Sequence, residues 1–240
     1  MNRNDINRLM KDWRLNWRRK PFVTYIFLFI IGVMYLIMTI DGGSENIGTL
    51  LRYGANYNLF ILANQWWRLI TPVFLHIGTT HLLFNVIVIY FLGIQIENII
   101  GHTRYFFLLF LSTVMGNAAS FAMSQAISAG ASTAIFGLFA STLVLAKFYP
   151  YQMSIQQLSK SYIILIVLNI AFGLFNPAVD NAGHIGGLIG GYLGMYAISA
   201  PNASNTSKTK RVQLGVLFLL IFIGLIAMGI IRTRRQFPFI

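Results

Sequence analysis

Cysteine is absent from the 240 residues, and acids are scarce: six Asp and Glu stand against eighteen Lys and Arg. The first absence excludes a disulfide-stapled secreted domain, although it fixes no redox compartment. The second excludes an ordinary soluble enzyme. Charged residues make up 10% of the chain, where a soluble domain carries about a quarter, and so few do not solvate a globular surface of this size. Disorder is excluded from the opposite direction, because 56% of the residues are hydrophobic. No strong internal repeat is visible, which counts against an inverted-repeat transporter.

What is present is a series of apolar runs. A helix crosses the hydrocarbon core in about 20 apolar residues, and seven runs qualify as candidates. They are Phe22 to Ile40, about Thr80 to Ile99, about Tyr105 to Ala126, about Ser132 to Tyr149, a short one from about Tyr162 to Phe175, a glycine-rich one from about Gly183 to Ser199, and Val212 to Ile231. The expected fold class is therefore all-α, a polytopic membrane helix bundle with a six-helix core and one further C-terminal transmembrane helix. Residues 1–20 read as a basic cytoplasmic segment, 21–200 as the core, 201–211 as a polar linker, 212–231 as the seventh span and 232–240 as a short tail. The first run is too long for a signal-peptide core and no A-x-A-like site follows it, so it reads as an uncleaved span.

The charge of +12 is better read by place than by total. With the N-terminus cytoplasmic, thirteen Lys and Arg fall inside and five outside, the orientation expected when bases collect on the cytoplasmic side. Arg232, Arg234 and Arg235 then lie outside, so either the early charges dominate or the last run is not a full span. No nucleic-acid partner is expected. In the N-terminal stretch, Ile6, Leu9, Trp13 and Trp17 fall near one helical face, which fits an interfacial helix on anionic lipid or simply a topogenic tail. About forty residues separate the first two spans. They hold Trp66, Trp67 and Arg68, a combination suited to the headgroup layer, so the loop is expected on or partly in the outer leaflet.

Polar side chains within spans are costly and mark function. Alternating topology puts the starts of the second, fourth and sixth spans in one leaflet, and there stand His76, His81 and Asn85, then Ser132, then His184. His81 and Asn85, four apart, share a helix face. Ser132 at a helix start reads as an N-cap or as a nucleophile beside free N–H groups. Taken alone the cap is favoured. His184 shifts the balance: Gly186, Gly187, Gly190, Gly191 and Gly194 follow it, and small residues at four-residue spacing let helix backbones approach closely. If the sixth span packs on the fourth, where Gly137 offers a matching position, His184 lands beside Ser132 as its base. Asp180 lies one turn earlier and is not well placed by sequence to orient that histidine, so a dyad is expected rather than a triad. A zinc site is the rival reading, disfavoured because there is no cysteine and His76 and His81 do not share a face. No metal and no cofactor is expected. Glu97 near the inner end of the second span is expected to bond neighbouring groups, and His102 carries no assigned role.

These residues resemble the rhomboid family of intramembrane serine proteases, over about Trp66 to Gly194. The signatures are Trp67-Arg68, the run from His76 through His81 to Asn85, Gly130-Ala131-Ser132, and Gly183-His184-Ile185-Gly186-Gly187. The resemblance implies Ser132 as nucleophile and His184 as base and then acid. It implies His81 and Asn85, with the Ser132 N–H, as oxyanion partners. It gives Trp67 and Arg68 to the outer loop, makes His76 and Glu97 structural, and has Gly186 and Gly187 bring the sixth helix onto the fourth. It implies membrane-protein substrates cut in a transmembrane segment near the outer face; the alternative is a rhomboid-like protein that binds membrane clients without cutting them. One departure is Thr133, where many members carry glycine.

Overall fold

The computed structural model describes residues 20–204 and 206–238, and among these nearly all regular structure is helical. The N-terminal segment with Ile6, Leu9, Trp13 and Trp17 lies outside the described residues. Helix α1 spans Phe22–Ile40. The outer loop that follows holds two short helices, α2 (Ile47–Arg52) and α3 (Asn58–Leu62), and two tighter turns at Trp66–Leu69 and Thr71–Phe74. The second span begins as α4 (Gly78–Val88), widens by one π-type turn at Ile89–Gly93 and continues as α5 (Ile94–Ile100). Gly101, at φ +82°, makes the abrupt reversal into α6 (His102–Met123). Then come α7 (Ser132–Phe148), α8 (Met153–Phe175), α9 (Asn181–Ile198) and α10 (Lys208–Gln236). By length and composition, α1, the α4–α5 run, α6, α8 and α10 are each able to cross a membrane; α7 is a shorter apolar helix of 17 residues. The chain is a multi-pass membrane helix bundle.

Three helices make the interior: α6, α7 and α9 bury most of their length, while α1, α8 and α10 present apolar side chains outward. That is the pattern of a protein whose periphery faces lipid rather than water. Helix α9 runs between α6 and α7 on two glycine rows. A Cβ at Gly187 or Gly191 would strike the backbone of Thr133 or Gly137 on α7. A Cβ at Gly186 or Gly190 would strike Ala119 or Met115 on α6. Gly186 therefore serves the third span, not the fourth as the sequence suggested, because neighbouring residues on a helix point about 100° apart and one glycine row cannot face both partners.

Two helices are longer than their apolar runs. Helix α8 has 23 residues rather than a short run from Tyr162, because its polar first turns have structural work: Gln156 Nε2 donates to the Ala146 and Tyr149 carbonyls (2.7 and 3.2 Å) at the end of α7. Helix α10 begins at Lys208, inside the expected linker, where Ser207 Oγ accepts the Lys210 N–H (3.1 Å) and Arg211 donates to the Ala197 carbonyl at the end of α9. It continues to Gln236, and Arg232 donates to the Ala122 carbonyl (3.1 Å) at the end of α6. Ile226 and Ile230 pack with Ile61 and Leu69 of the outer loop, so the C-terminal end of α10 stands on the same side as that loop.

The loop itself is fastened to the bundle. Asn56 and Ser128 exchange both backbone bonds (2.8 and 3.0 Å). Asn56 Nδ2 donates to the Asn117 carbonyl (2.9 Å), and Asn117 Nδ2 donates to the Leu69 carbonyl (3.0 Å). Arg68 is a staple inside this loop rather than a headgroup-facing base. It is only 4% exposed, donates to the Ala55 and Leu51 carbonyls (both 2.8 Å) and to Gln65 Oε1 (2.7 Å), and lies over the Phe60 ring. A forked guanidinium fits such a set of carbonyls in a way that the sequence alone does not disclose. Trp66 and Trp67 remain on the outside, 40% and 54% exposed. At the loop's rim, Tyr53 and Arg52 hold the Asp41 carboxyl below its usual range.

Candidate active site

Ser132 is the first residue of α7, and Ala131 before it offers no side-chain cap. The hydroxyl is thus free of the capping duty that is common at helix starts, and its partner is instead on another helix. His184 Nε2 lies 2.9 Å from Ser132 Oγ, across 52 residues of sequence. The approach follows from the glycine row: Gly187, one turn below His184, lies against the Thr133 backbone, so no side chain separates the two helix starts. The imidazole is buried to 9% exposure and stacks on Phe136, with ring centroids 4.1 Å apart and planes 11° from parallel. Phe136 was not singled out from the sequence. Its position four residues after Ser132, on the same face of α7, is the signal that would have found it.

His76 and His81 flank the approach to Ser132. The buried His76 accepts the Ala131 N–H through Nε2 (3.3 Å), fixing the residue just before the serine. Burial, with His81 nearby, pushes its pKa down to about 3, so it is neutral and able to accept. The His81 ring lies over Gly130: a Cβ there would come within 2.6 Å of the imidazole, and the φ of +138° at that glycine independently disfavours any side chain. Asn85, one turn after His81, donates one amide hydrogen to the His81 carbonyl (2.7 Å), which leaves its second hydrogen for another acceptor. The first backbone N–H groups of α7 have no intrahelical acceptor. Serine, imidazole and several donors thus share one end of the bundle.

Thr133 is buried against Gly116 of α6, where any Cβ would collide with it. The side chain that follows the serine is accommodated by a glycine opposite it. Asp180 is the N-cap of α9, its Oδ1 accepting the Gly183 N–H (2.9 Å).

Glu97 sits at the other end of the bundle. Its carboxylate accepts the Val23 N–H (3.0 Å), the Thr24 N–H (2.8 Å) and the Thr24 hydroxyl (2.6 Å), closing the first turn of α1. His102, to which the sequence gave no role, meets the same carboxylate through Nδ1 (2.5 Å). Glu97 thus ties α5 to α1 and, through His102, to the start of α6, remote from the serine. Trp67 and Arg68 are in the outer loop and touch neither member of the dyad; Gly186 and Gly187 set the helix spacing beneath it.

Comparison with known proteins gives the chain a family. A family model described as the Rhomboid domain matches residues 63–201. The Bacillus subtilis (strain 168) protein named Rhomboid protease GluP is 36% identical over 217 residues, covering 90% of this chain and 42% of that protein, so the chain spans less than half the relative's length. Rhomboid-like protease 3 of Toxoplasma gondii is 30% identical over 200 residues, covering 78% of this chain and 74% of the relative. RHOMBOID-like protein 2 of Arabidopsis thaliana is 33% identical over 174 residues, covering 68% of this chain and 54% of the relative. The matched stretch contains the second to sixth spans with both members of the serine–histidine pair, and on that ground the chain belongs to the rhomboid family of intramembrane proteases.

Proposed function

We propose that this chain is an intramembrane serine endopeptidase that cuts transmembrane segments of other membrane proteins near the outer membrane face, with Ser132 as nucleophile and His184 as general base. The observation that carries the reading is the 2.9 Å contact between Ser132 Oγ and His184 Nε2 at the buried helix starts. The N-terminus is inside, on the distribution of Lys and Arg, and the dyad and the C-terminus are outside.

The chemistry is acyl transfer followed by hydrolysis. Nε2 takes the hydroxyl proton as Oγ attacks the scissile carbonyl carbon. The resulting oxyanion is met by the Ser132 N–H and by the free amide hydrogen of Asn85, with His81 at its edge. The imidazolium then gives its proton to the leaving amine nitrogen, the C–N bond breaks and an ester to Ser132 remains. A water entering from the outer side loses a proton to His184 and attacks the ester carbonyl; the bond to Oγ then breaks, the imidazolium returns that proton to Ser132 Oγ, and the carboxylate product leaves. Neither metal nor organic cofactor takes part in these steps. Substrates are transmembrane segments with helix-destabilising residues and a small residue at the cut, as the family resemblance suggests.

The test uses a fluorophosphonate probe and a fluorogenic transmembrane reporter on purified wild type and Ser132→Ala. Wild type is labelled and cleaves; the variant does neither while keeping its melting temperature. Labelling or cleavage that survives the substitution refutes the assignment. Asn85→Ala loses about 10- to 1000-fold in kcat, and an unchanged rate removes it from the oxyanion site.

A further inference from the structure

At the end of the bundle opposite the serine, a cavity of about 530 Å³ opens between the last turn of α9 and the first turns of α10. Its lining is Ala197 on α9, then Thr206, Lys208, Arg211 and Val212. Lys208 and Arg211, three apart on α10, share a face. Arg211 is held in place by α9: its Nε and Nη2 donate to the Ala197 carbonyl (3.3 and 3.2 Å), and Nη2 donates also to the Ile198 carbonyl (3.3 Å). Its Nη1 and the ammonium of Lys208 have no partner among the described residues. Nearby bases are otherwise engaged, Lys147 on the Tyr192 hydroxyl (2.8 Å) and Lys210 over the Tyr196 ring (5.1 Å to its centre). No carboxylate is at hand. Among the described residues, Asp41 and Glu45 belong to the outer loop, Asp180 caps the far end of α9, and Glu97 is buried against the first turn of α1. The ion pairs formed there, Arg52 with Asp41 and His102 with Glu97, leave Lys208 and Arg211 without a counter-charge. The cavity is also not polar throughout. Val212 on its wall begins a strip along α10, continued at helical spacing by Val216, Leu219 and Ile223, all 50–62% exposed.

We propose that this cleft binds the headgroup of an anionic glycerophospholipid: its phosphate is held between the Lys208 ammonium and Nη1 of Arg211, and an acyl chain lies along the apolar strip of α10. A small soluble anion would use the two cations and leave the strip idle, whereas a phospholipid uses both. On the orientation proposed above, the cleft faces the inner leaflet, where anionic lipids make the surface negative and basic pockets between spans take their headgroups. The guanidinium is already fixed by two carbonyls, so little side-chain freedom is lost when the phosphate arrives. Because Arg211 is tied to α9, a lipid seated there bridges the core to the last helix. The site is independent of the protease reading and uses none of its residues.

The test uses the full chain, stripped of lipid in a neutral detergent and titrated with phosphatidylglycerol, with phosphatidylcholine of the same acyl chains, or with inorganic phosphate. Retained lipid is read by native mass spectrometry and protection by the melting temperature. Wild type retains a single phosphatidylglycerol, and its melting temperature rises to a plateau as that site fills; phosphatidylcholine and inorganic phosphate do neither. Lys208→Gln weakens phosphatidylglycerol binding about fivefold, the worth of one base at an anionic lipid surface, and Lys208→Glu, which reverses the charge, about 25-fold. Neither changes the melting temperature of the lipid-free protein, because the exposed ammonium has no partner in the fold to lose. Lys160→Gln removes the same charge from an exposed position on α8 and leaves binding within about twofold of wild type. Equal retention of phosphatidylcholine overturns the proposal, and so does a Lys208→Gln protein that binds phosphatidylglycerol as Lys160→Gln does. Protection by inorganic phosphate equal to that by phosphatidylglycerol overturns the assignment to a lipid.

Discussion

Gly187→Ala tests the idea that backbone contact between α9 and α7 sets the dyad. The added Cβ would lie 3.0 Å from the Thr133 carbonyl carbon and 3.2 Å from its Cα, with the carbonyl oxygen nearer still. Ordinary carbon contacts are about 3.5–4.0 Å, and the obstructing atoms are main chain, with no rotamer to swing aside. The helices therefore part by about 1 Å. Carried to the outer end of α9, that takes the 2.9 Å Ser132–His184 contact to about 3.9 Å, beyond hydrogen-bond reach. A misplacement of about 1 Å lowers a rate by about 100-fold, and forcing a methyl into a packed interior costs about 1–3 kcal/mol. The assay is reporter cleavage together with thermal unfolding in the same detergent. Gly32→Ala on α1 is the control, because a Cβ there meets nothing within 4 Å, and it leaves both readings at or slightly above wild type. If Gly187→Ala cleaves and melts like Gly32→Ala, the reasoning from backbone approach to dyad geometry is wrong.

Two further perturbations address the outer loop. Arg68→Ala strips the Ala55 and Leu51 carbonyls of their donors and lowers unfolding stability by about 3 kcal/mol; Arg68→Lys recovers less than half of that, since an ammonium does not reproduce the fork. Equal stability of Arg68→Ala and wild type would refute the staple. His76 has its pKa pushed down to about 3 by burial and His81. The unfolded chain, with an ordinary histidine pKa of about 6.5, binds that proton first. Stability is therefore intact above about pH 6.5 and lost as the pH falls towards 3, at up to about 1.4 kcal/mol per unit. His76→Gln flattens the melting curve against pH between about pH 6 and pH 4, and an unaltered slope would remove His76 as the source.

The sequence disclosed the order of the spans and, through it, which polar residues share an end. Ser132 and His184 were legible because a charge-poor membrane chain has few polar side chains to place, and because the glycines after His184 announced close packing. Other features depend on directions that a one-dimensional pattern does not carry. Gly186 and Gly187 are neighbours in sequence and face different helices. Arg68 looked like a surface base because its acceptors, the Leu51 and Ala55 carbonyls, are main-chain groups invisible in a list of side chains. His102 looked idle because its partner Glu97 lies across a reversal made by Gly101. The polar start of α8 was cut from its helix because hydropathy counts residues and not the carbonyls that they satisfy.

The tethering of the outer loop sets an order on the making of the protein. Asn56 bonds the Asn117 carbonyl, 61 residues later, and its backbone pairs with Ser128 later still. A chain emerging from the ribosome has neither partner when the loop has just been made. The loop waits, unfastened, until α6 and the turn into α7 arrive beside it. His184 joins Ser132 only after another 52 residues. A chain interrupted anywhere before α9 carries Ser132 without His184, so the pair that the proposed chemistry needs forms only once the last core helix is in place.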